Sequence, residues 1–304
     1  MSELVAGKIR KNAWLFLNRA IREIVSHDDS TDDGFSTEVA IFSTVFIQTA
    51  FELSLVAYVV SEHGIHGVAK KGDSKFSEEE LLAKFEGNEL NSKLFNELMQ
   101  EAVEKHYFLD NDDQYLVENF QRVRNKLVHM GYEFDAGDLY DLKYELIYFL
   151  VQLVVPILAK EESRPSEALQ SNIDGDDFMR LIKFPPYAEQ MHRKALNFSK
   201  YVYKCFYCGN NSLAAGDYGN EHCYSCNQDY FHVGFADCAR CDSRYSLIYD
   251  KLNIGIQSDR TLKGICMNCD EDDLVYSCGV CDSVVALEGT HYEKCHPHYC
   301  SEEG

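Results

Sequence analysis

An all-α helical bundle followed by small β-rich modules is the fold class this sequence predicts, on three observations. Apolar residues recur at helical spacing through the first 200 of the 304 residues, with no strand-period segment of any length. All twelve cysteines lie at or beyond position 205, in six pairs. The chain is 45% apolar and 12% aromatic, enough for an ordinary core.

The helical half is read element by element. Residues 3–27 are expected to form one helix, because Val5, Ile9, Trp14, Leu17, Ala20, Ile21 and Ile24 make a single apolar face. The acidic DDSTDDG run after it is a loop, and Ser36 ahead of Glu38 caps a long apolar helix over 37–63. Residues 39–60 are long enough to span a bilayer, yet they carry Gln48 and Glu52 and lack a one-sided basic flank. They read as a buried bundle helix and not as a membrane span. HGIHGVAKKGDSK is a turn-rich connection to two shorter helices, 76–85 and 92–105, the first announced by the capping pattern SEEE. A helix over 113–130 stops at Gly131. The last, 139–159, buries Leu142, Leu146, Phe149, Leu150, Leu153 and Leu158, with Pro156 disturbing its end. Residues 1–160 are thus a bundle of about four main helices. Residues 161–200 change composition and read as a linker ending in a helix at 188–202, and residues 201–304 form the cysteine-built region.

Net charge is −21: −11 on residues 1–160, −1 on 161–200 and −9 on 201–304. A nonspecific nucleic-acid coat would carry the opposite sign, so any nucleic acid must meet a local basic patch or be brought by a partner. With its many thiols and no secretory signal, the sequence reads as cytoplasmic.

Five cysteine pairs are spaced C-x2-C: Cys205/Cys208, Cys223/Cys226, Cys238/Cys241, Cys266/Cys269 and Cys278/Cys281; Cys295/Cys300 is wider. Two intervening residues let a tight turn present two thiolates to one tetrahedral ion, whereas a disulfide there would be strained or redox-active. Such a knuckle needs positive φ just after its second cysteine, and those positions hold Gly209, Asn227, Asp242, Asp270 and Asp282, residues that adopt it cheaply. Structural Zn2+, about three ions per chain, is the expectation. Sequential grouping gives one site from Cys205, Cys208, Cys223 and Cys226 and a second from Cys238, Cys241, Cys266 and Cys269; a cross-braced grouping fits the same spacings. The third site would hold Cys278, Cys281 and Cys295, with Cys300 or His291 as fourth ligand. His222 and His232 are expected to be exposed or to support the first site, and Tyr224, Tyr230, Phe231 and Tyr245 to offer exposed contact area to a protein partner.

Near residue 120 the helix ends QRVRNKLVHMG. Arg124, Asn125 and His129 resemble the R-N-x3-H motif of the HEPN superfamily, all-helical domains found in many prokaryotic toxins and defence ribonucleases. The resemblance covers residues 1–160 through this motif and the number and length of helices. It implies a homodimer in which the Arg and His of two protomers form one composite site, and metal-independent RNA cleavage by the substrate's own 2′-hydroxyl, leaving a 2′,3′-cyclic phosphate and a 5′-hydroxyl. The residue types suit that chemistry: imidazole exchanges a proton near neutral pH, and guanidinium presents a planar fork to phosphoryl oxygens as charge builds. On a straight helix, Leu116, Phe120, Val123 and Leu127 form the core stripe and Arg122 shares the opposite face with His129, which keeps Arg122 as a second choice of arginine. Glu52 is a further candidate, as a carboxylate orienting the site. The competing reading is a noncatalytic dimeric scaffold whose zinc region binds a protein partner.

Overall fold

Ten helices precede the first strand among the described residues of the computed structural model, which are 2–26, 35–106, 109–129, 135–159, 164–215, 220–279 and 284–287. They are α1 (Ser2–Val25), α2 (Thr37–His63), α3 (Glu78–Glu86), α4 (Phe95–Glu101), α5 (Asn111–His129), α6 (Ala136–Phe149), α7 (Val155–Ala159), α8 (Pro165–Asn172), α9 (Gly175–Lys183) and α10 (Pro185–Phe198). The chain divides into two units, Met1–Tyr187 and Ala188–Gly304.

In the first unit α2 is central and packs against α1, α4, α5, α6 and α7. Its start is set by Ser36, whose side chain accepts from the Val39 amide; its end is set by Gly64, at φ 70°, where a side chain would be strained. Both α2 and the run Gly137–Ala159 are long and apolar enough to cross a membrane by length and composition, but 56% and 61% of their most apolar windows are buried within the fold, as in core helices. Ser77 and Glu80 close a full capping box on α3, as the SEEE pattern predicts. Between α6 and α7 the backbone widens into a π-helical turn, Leu150–Val154. Pro156 has no N–H for the carbonyl four residues earlier, and the wider turn accommodates that loss.

A chain of aromatic rings ties four helices together. Phe51 of α2 meets Phe95 of α4 edge-on at 5.8 Å and Phe149 of α6 at 5.1 Å, and Phe149 stacks on Phe120 of α5 at 4.1 Å. Phe51 and Phe149 are fully buried. Phe149→Ala is expected to destabilise the helical unit by about 3–5 kcal/mol, read as a lower urea midpoint in circular dichroism, because it removes the ring joining α2 to α5.

Residues 165–183 differ from the linker expected there: they form α8 and α9, which belong to the helical unit, whereas α10 stands where the helix ending that linker is expected. Phe178, Leu181 and Ile182 of α9 are buried, Arg22 of α1 pairs with Asp177 at 2.9 Å, and Asn18 donates to the Asn172 carbonyl at 2.9 Å. The acidic residues that suggest a solvated linker are instead caps and partners: Asp174 accepts from the Asp176 and Asp177 amides at the start of α9.

In the second unit two antiparallel sheets follow α10. The first orders β1 (Val202–Lys204), β2 (Asn211–Ala215), β3 (Asn220–Cys223) and β4 (Asp229–Phe231) side by side. The second orders β5 (Val233–Ala236), β6 (Leu247–Asp250), β7 (Thr261–Cys266), β8 (Asp272–Ser277) and β9 (Val284–Leu287), with the short α11 (Lys251–Ile254) after β6. Gly234 of β5 lies directly against the Tyr249 ring of β6, a place with no room for a Cβ.

Candidate functional site

Four knuckles in the second unit are built alike. In each, the amide of the first cysteine donates to the carbonyl five residues on: Cys205 to Asn210 at 2.9 Å, Cys223 to Gln228 at 2.8 Å, Cys238 to Ser243 at 3.0 Å and Cys266 to Glu271 at 2.9 Å. Closing so tight a loop around two outward sulfurs drives the residue after the second cysteine to positive φ, and Gly209, Asn227, Asp242 and Asp270 stand at 78°, 61°, 54° and 60°. Asp282 lies outside the described residues.

The knuckles pair in sequence order. Cys205, Cys208, Cys223 and Cys226 converge, as do Cys238, Cys241, Cys266 and Cys269, and within each group all sulfurs lie within 4.8 Å of one another. Cross-bracing is therefore not the arrangement of these eight ligands. The reason lies in the sheets: β2 and β3 pair between the first two knuckles, and β6 and β7 between the next two, so each hairpin folds its own cysteines together.

Sulfur separations test what these groups would hold. Cys205 and Cys226 are 3.6 Å apart, Cys208 and Cys223 3.7 Å, Cys238 and Cys269 3.9 Å, and Cys241 and Cys266 3.7 Å. A disulfide would bring them to about 2.05 Å. Four sulfurs about 2.3 Å from a tetrahedral ion stand about 3.8 Å apart, so both groups fit a four-cysteine metal site.

Polar neighbours favour the thiolate form the metal needs. The Tyr230 hydroxyl lies 3.4 Å from Cys205 Sγ, and Ser212 Oγ is 3.3 Å from Cys223 Sγ. In the second group the Asn268 amide donates to Cys266 Sγ at 3.4 Å and its side chain to Cys241 Sγ at 3.6 Å. The Cys205 thiol is pulled down by hydrogen bonds from Cys208, Cys223 and Cys226. Cys241 is pulled down to about 6, first by the Ser243 side chain and then by Asn268. Each group thus holds at least one thiol shifted toward the thiolate form. Burial pushes the Tyr230 phenol up, and the neighbouring Cys205 adds to it, so its hydroxyl remains a donor.

Cys278, the next predicted ligand, is buried at the end of β8. Its expected companions Cys281, Cys295, Cys300 and His291 lie outside the described residues. His222 is buried and lies outside the four-cysteine group: its Nδ1 is 2.7 Å from Asp229 Oδ1 and its ring stands edge-on to Tyr224 at 5.3 Å. His232 is exposed. Of the four aromatic residues expected to be exposed, Phe231 and Tyr245 are, at 51% and 71%. Tyr224, in the turn after β3, and Tyr230, in β4, are half-buried, packed on Phe198 and Phe206.

No known family model, curated protein or solved structure matches this chain.

In the helical unit, α5 carries the other predicted site. Val117, Phe120 and Leu127 are buried toward the core, Leu116 and Val123 half-buried, and Arg122 and Asn125 exposed. Arg124 is half-buried, and its Nη1 donates to the Asn125 side-chain oxygen at 3.1 Å. His129 is the last residue of α5, and its side chain lies outside what is described. Glu52 of α2 is half-buried and accepts from Gln48 one turn earlier at 3.0 Å, so it meets an amide and not an arginine.

Proposed function

We propose that the C-terminal unit is a zinc-built recognition module and that the helical unit it accompanies is a metal-independent endoribonuclease. One observation carries the first half of this reading: two groups of four cysteine sulfurs at the spacing of a tetrahedral all-thiolate site. Four protein thiolates leave no coordination position for water or substrate, so ions held there are structural and the chemistry belongs elsewhere. Zinc suits an all-sulfur tetrahedral set. Elemental analysis of the purified full-length protein is expected to return two zinc ions per chain from the two described groups, or three if Cys278 and its companions form a further site. One ion or none in the folded protein would contradict it.

The ribonuclease half rests on the resemblance of Arg124, Asn125 and His129 to the HEPN motif, and it is supported by the contact between the Arg124 guanidinium and the Asn125 side chain on α5. In this reading His129 takes and returns the proton, Arg124 stabilises charge on the phosphorane, and Asn125 holds the guanidinium in place. The substrate 2′-hydroxyl attacks the adjacent phosphorus and the 5′-oxygen leaves, so no metal-activated water is required. The composite site needs a second copy of the helical unit, and sedimentation is expected to show a homodimer at micromolar concentration. Arg124→Lys is expected to remain inactive in RNA cleavage, because a point charge does not reproduce the planar fork; recovery of wild-type cleavage by lysine would move the role to Arg122.

With such an acidic chain, cleavage is expected to select a presented or structured RNA, in the manner of a toxin or antiviral defence effector. The exposed rings of Phe231 and Tyr245 favour a protein as what the zinc module binds. If the wild-type dimer cleaves no RNA, the same contact area makes a noncatalytic scaffold the replacement reading.

A further inference from the structure

We propose that the cavity between α4 and α5 is a base-binding subsite that takes an amino-bearing nucleobase of RNA, guanine above the others. This deepens the ribonuclease reading and rests on it for the identity of the polymer.

The cavity has a volume of about 440 Å³, inside the roughly 300–1,000 Å³ of small-molecule sites. Buried Met99 and Val117 line its apolar side, and the half-buried ring of Phe95 adds an aromatic face. Four of its polar groups form two Gln–Glu pairs, and the amides of Asn96, Asn111 and Gln121 complete the polar lining. From the α4 side, Gln100 Nε2 donates to both oxygens of Glu104 at 3.1 and 3.2 Å; from α5, Gln114 Nε2 donates to Glu118 Oε1 at 3.0 Å. With amide protons directed at the carboxylates, the pairs present mainly acceptor oxygens, and no lysine or arginine is among the described lining residues.

The two carboxylates ask for a planar group that sets paired donors along one edge. Guanine sets N1–H beside N2–H2, two donors that match the two oxygens of a carboxylate. Uracil sets a single N–H between two carbonyls, which would face those oxygens and be repelled. An aromatic wall over an apolar floor suits the flat face of either base, so the edge decides.

Position links the cavity to the motif. Gln114, Glu118, Gln121 and Asn125 recur at a spacing of four, three and four residues along α5, so they share one face, and the first three line the cavity. Arg124 lies on that face's core side and contacts Asn125. Across α4 a second cavity of about 310 Å³ shares Gln100 and Glu104 and brings in Lys70 and Lys71. Of the other acidic groups there, Glu97 is turned to the Leu94 amide and Glu101 holds Lys93. Lys70 and Lys71 supply the local positive charge that a flanking phosphate needs on so acidic a chain.

Calorimetric titration of the full-length protein with guanosine and uridine 5′-monophosphates tests this. Guanosine monophosphate is expected to bind about tenfold more tightly than uridine monophosphate. Glu118→Gln, at an exposed position, is expected to remove most of that preference with the melting temperature unchanged, and Glu104→Gln to do the same from the opposite wall. Equal affinities, or a preference that survives both substitutions, would overturn the proposal. So would binding of spermidine, and not nucleotide, with the same dependence on the two glutamates, which would mark an organic-cation site. Because nucleotide binding is read without cleavage, selective binding by a protein that cuts no RNA would retain the subsite and remove the ribonuclease reading. Cleavage without any base preference would do the reverse.

Discussion

Cys205→Ser is expected to unfold the first sheet of the C-terminal unit while the helical unit keeps its structure. The magnitude decides the outcome: structural zinc in small peptides contributes on the order of 10–16 kcal/mol, as much as the whole stability of about 5–15 kcal/mol of an ordinary domain. The strands around the first group are short, three to five residues each, and Cys205, Cys223 and Cys226 are themselves buried core. Little apolar surface is left to hold them without the ion. Cys238→Ser is expected to act on the second sheet in the same way, though Leu247, Tyr249 and Val275 give that sheet some core of its own. Helical circular dichroism should remain near the wild-type level in both variants, and strand amide protection should vanish from the affected sheet. Full protection of β2 and β3 in Cys205→Ser would show that metal does not hold the first sheet.

His129→Ala is expected to slow RNA cleavage by about 10²–10⁴-fold, the usual cost of losing a positioned proton-transfer group. The variant should dimerise and melt as wild type does, because His129 ends α5 and the core positions of that helix are Val117, Phe120 and Leu127. Single-turnover cleavage of one RNA by both proteins measures it. A change of less than about threefold would place the residue outside the chemistry.

The four-cysteine groups were the most legible part of the sequence because each knuckle is specified locally: two thiols at fixed spacing, then a residue that tolerates positive φ. Sequential grouping was less legible, since it depends on which strands pair, as β2 with β3 and β6 with β7. The long helices announced themselves by apolar period, and Ser36 and Ser77 by capping chemistry. What composition hid was α8 and α9. In α9 the apolar face is only Phe178, Leu181 and Ile182, too short a repeat to stand out among acidic residues whose role is to cap the helix and pair with Arg22. Tyr224 and Tyr230 misled for a related reason: a tyrosine in a knuckle turn or a short polar strand reads as exposed until the neighbouring ring that covers it is known. The α4–α5 cavity left no trace in sequence, because its lining joins two helices through residues that each look like ordinary solvated positions.

The ribonuclease proposal is tested most directly by mapping the ends of RNA cut by the purified protein in magnesium-free buffer without chelator. The account predicts 2′,3′-cyclic phosphate and 5′-hydroxyl ends, made by wild type and lost in His129→Ala, because the attacking oxygen belongs to the RNA itself. Ends bearing 3′-hydroxyl and 5′-phosphate, a requirement for magnesium, or equal cutting by His129→Ala would contradict it.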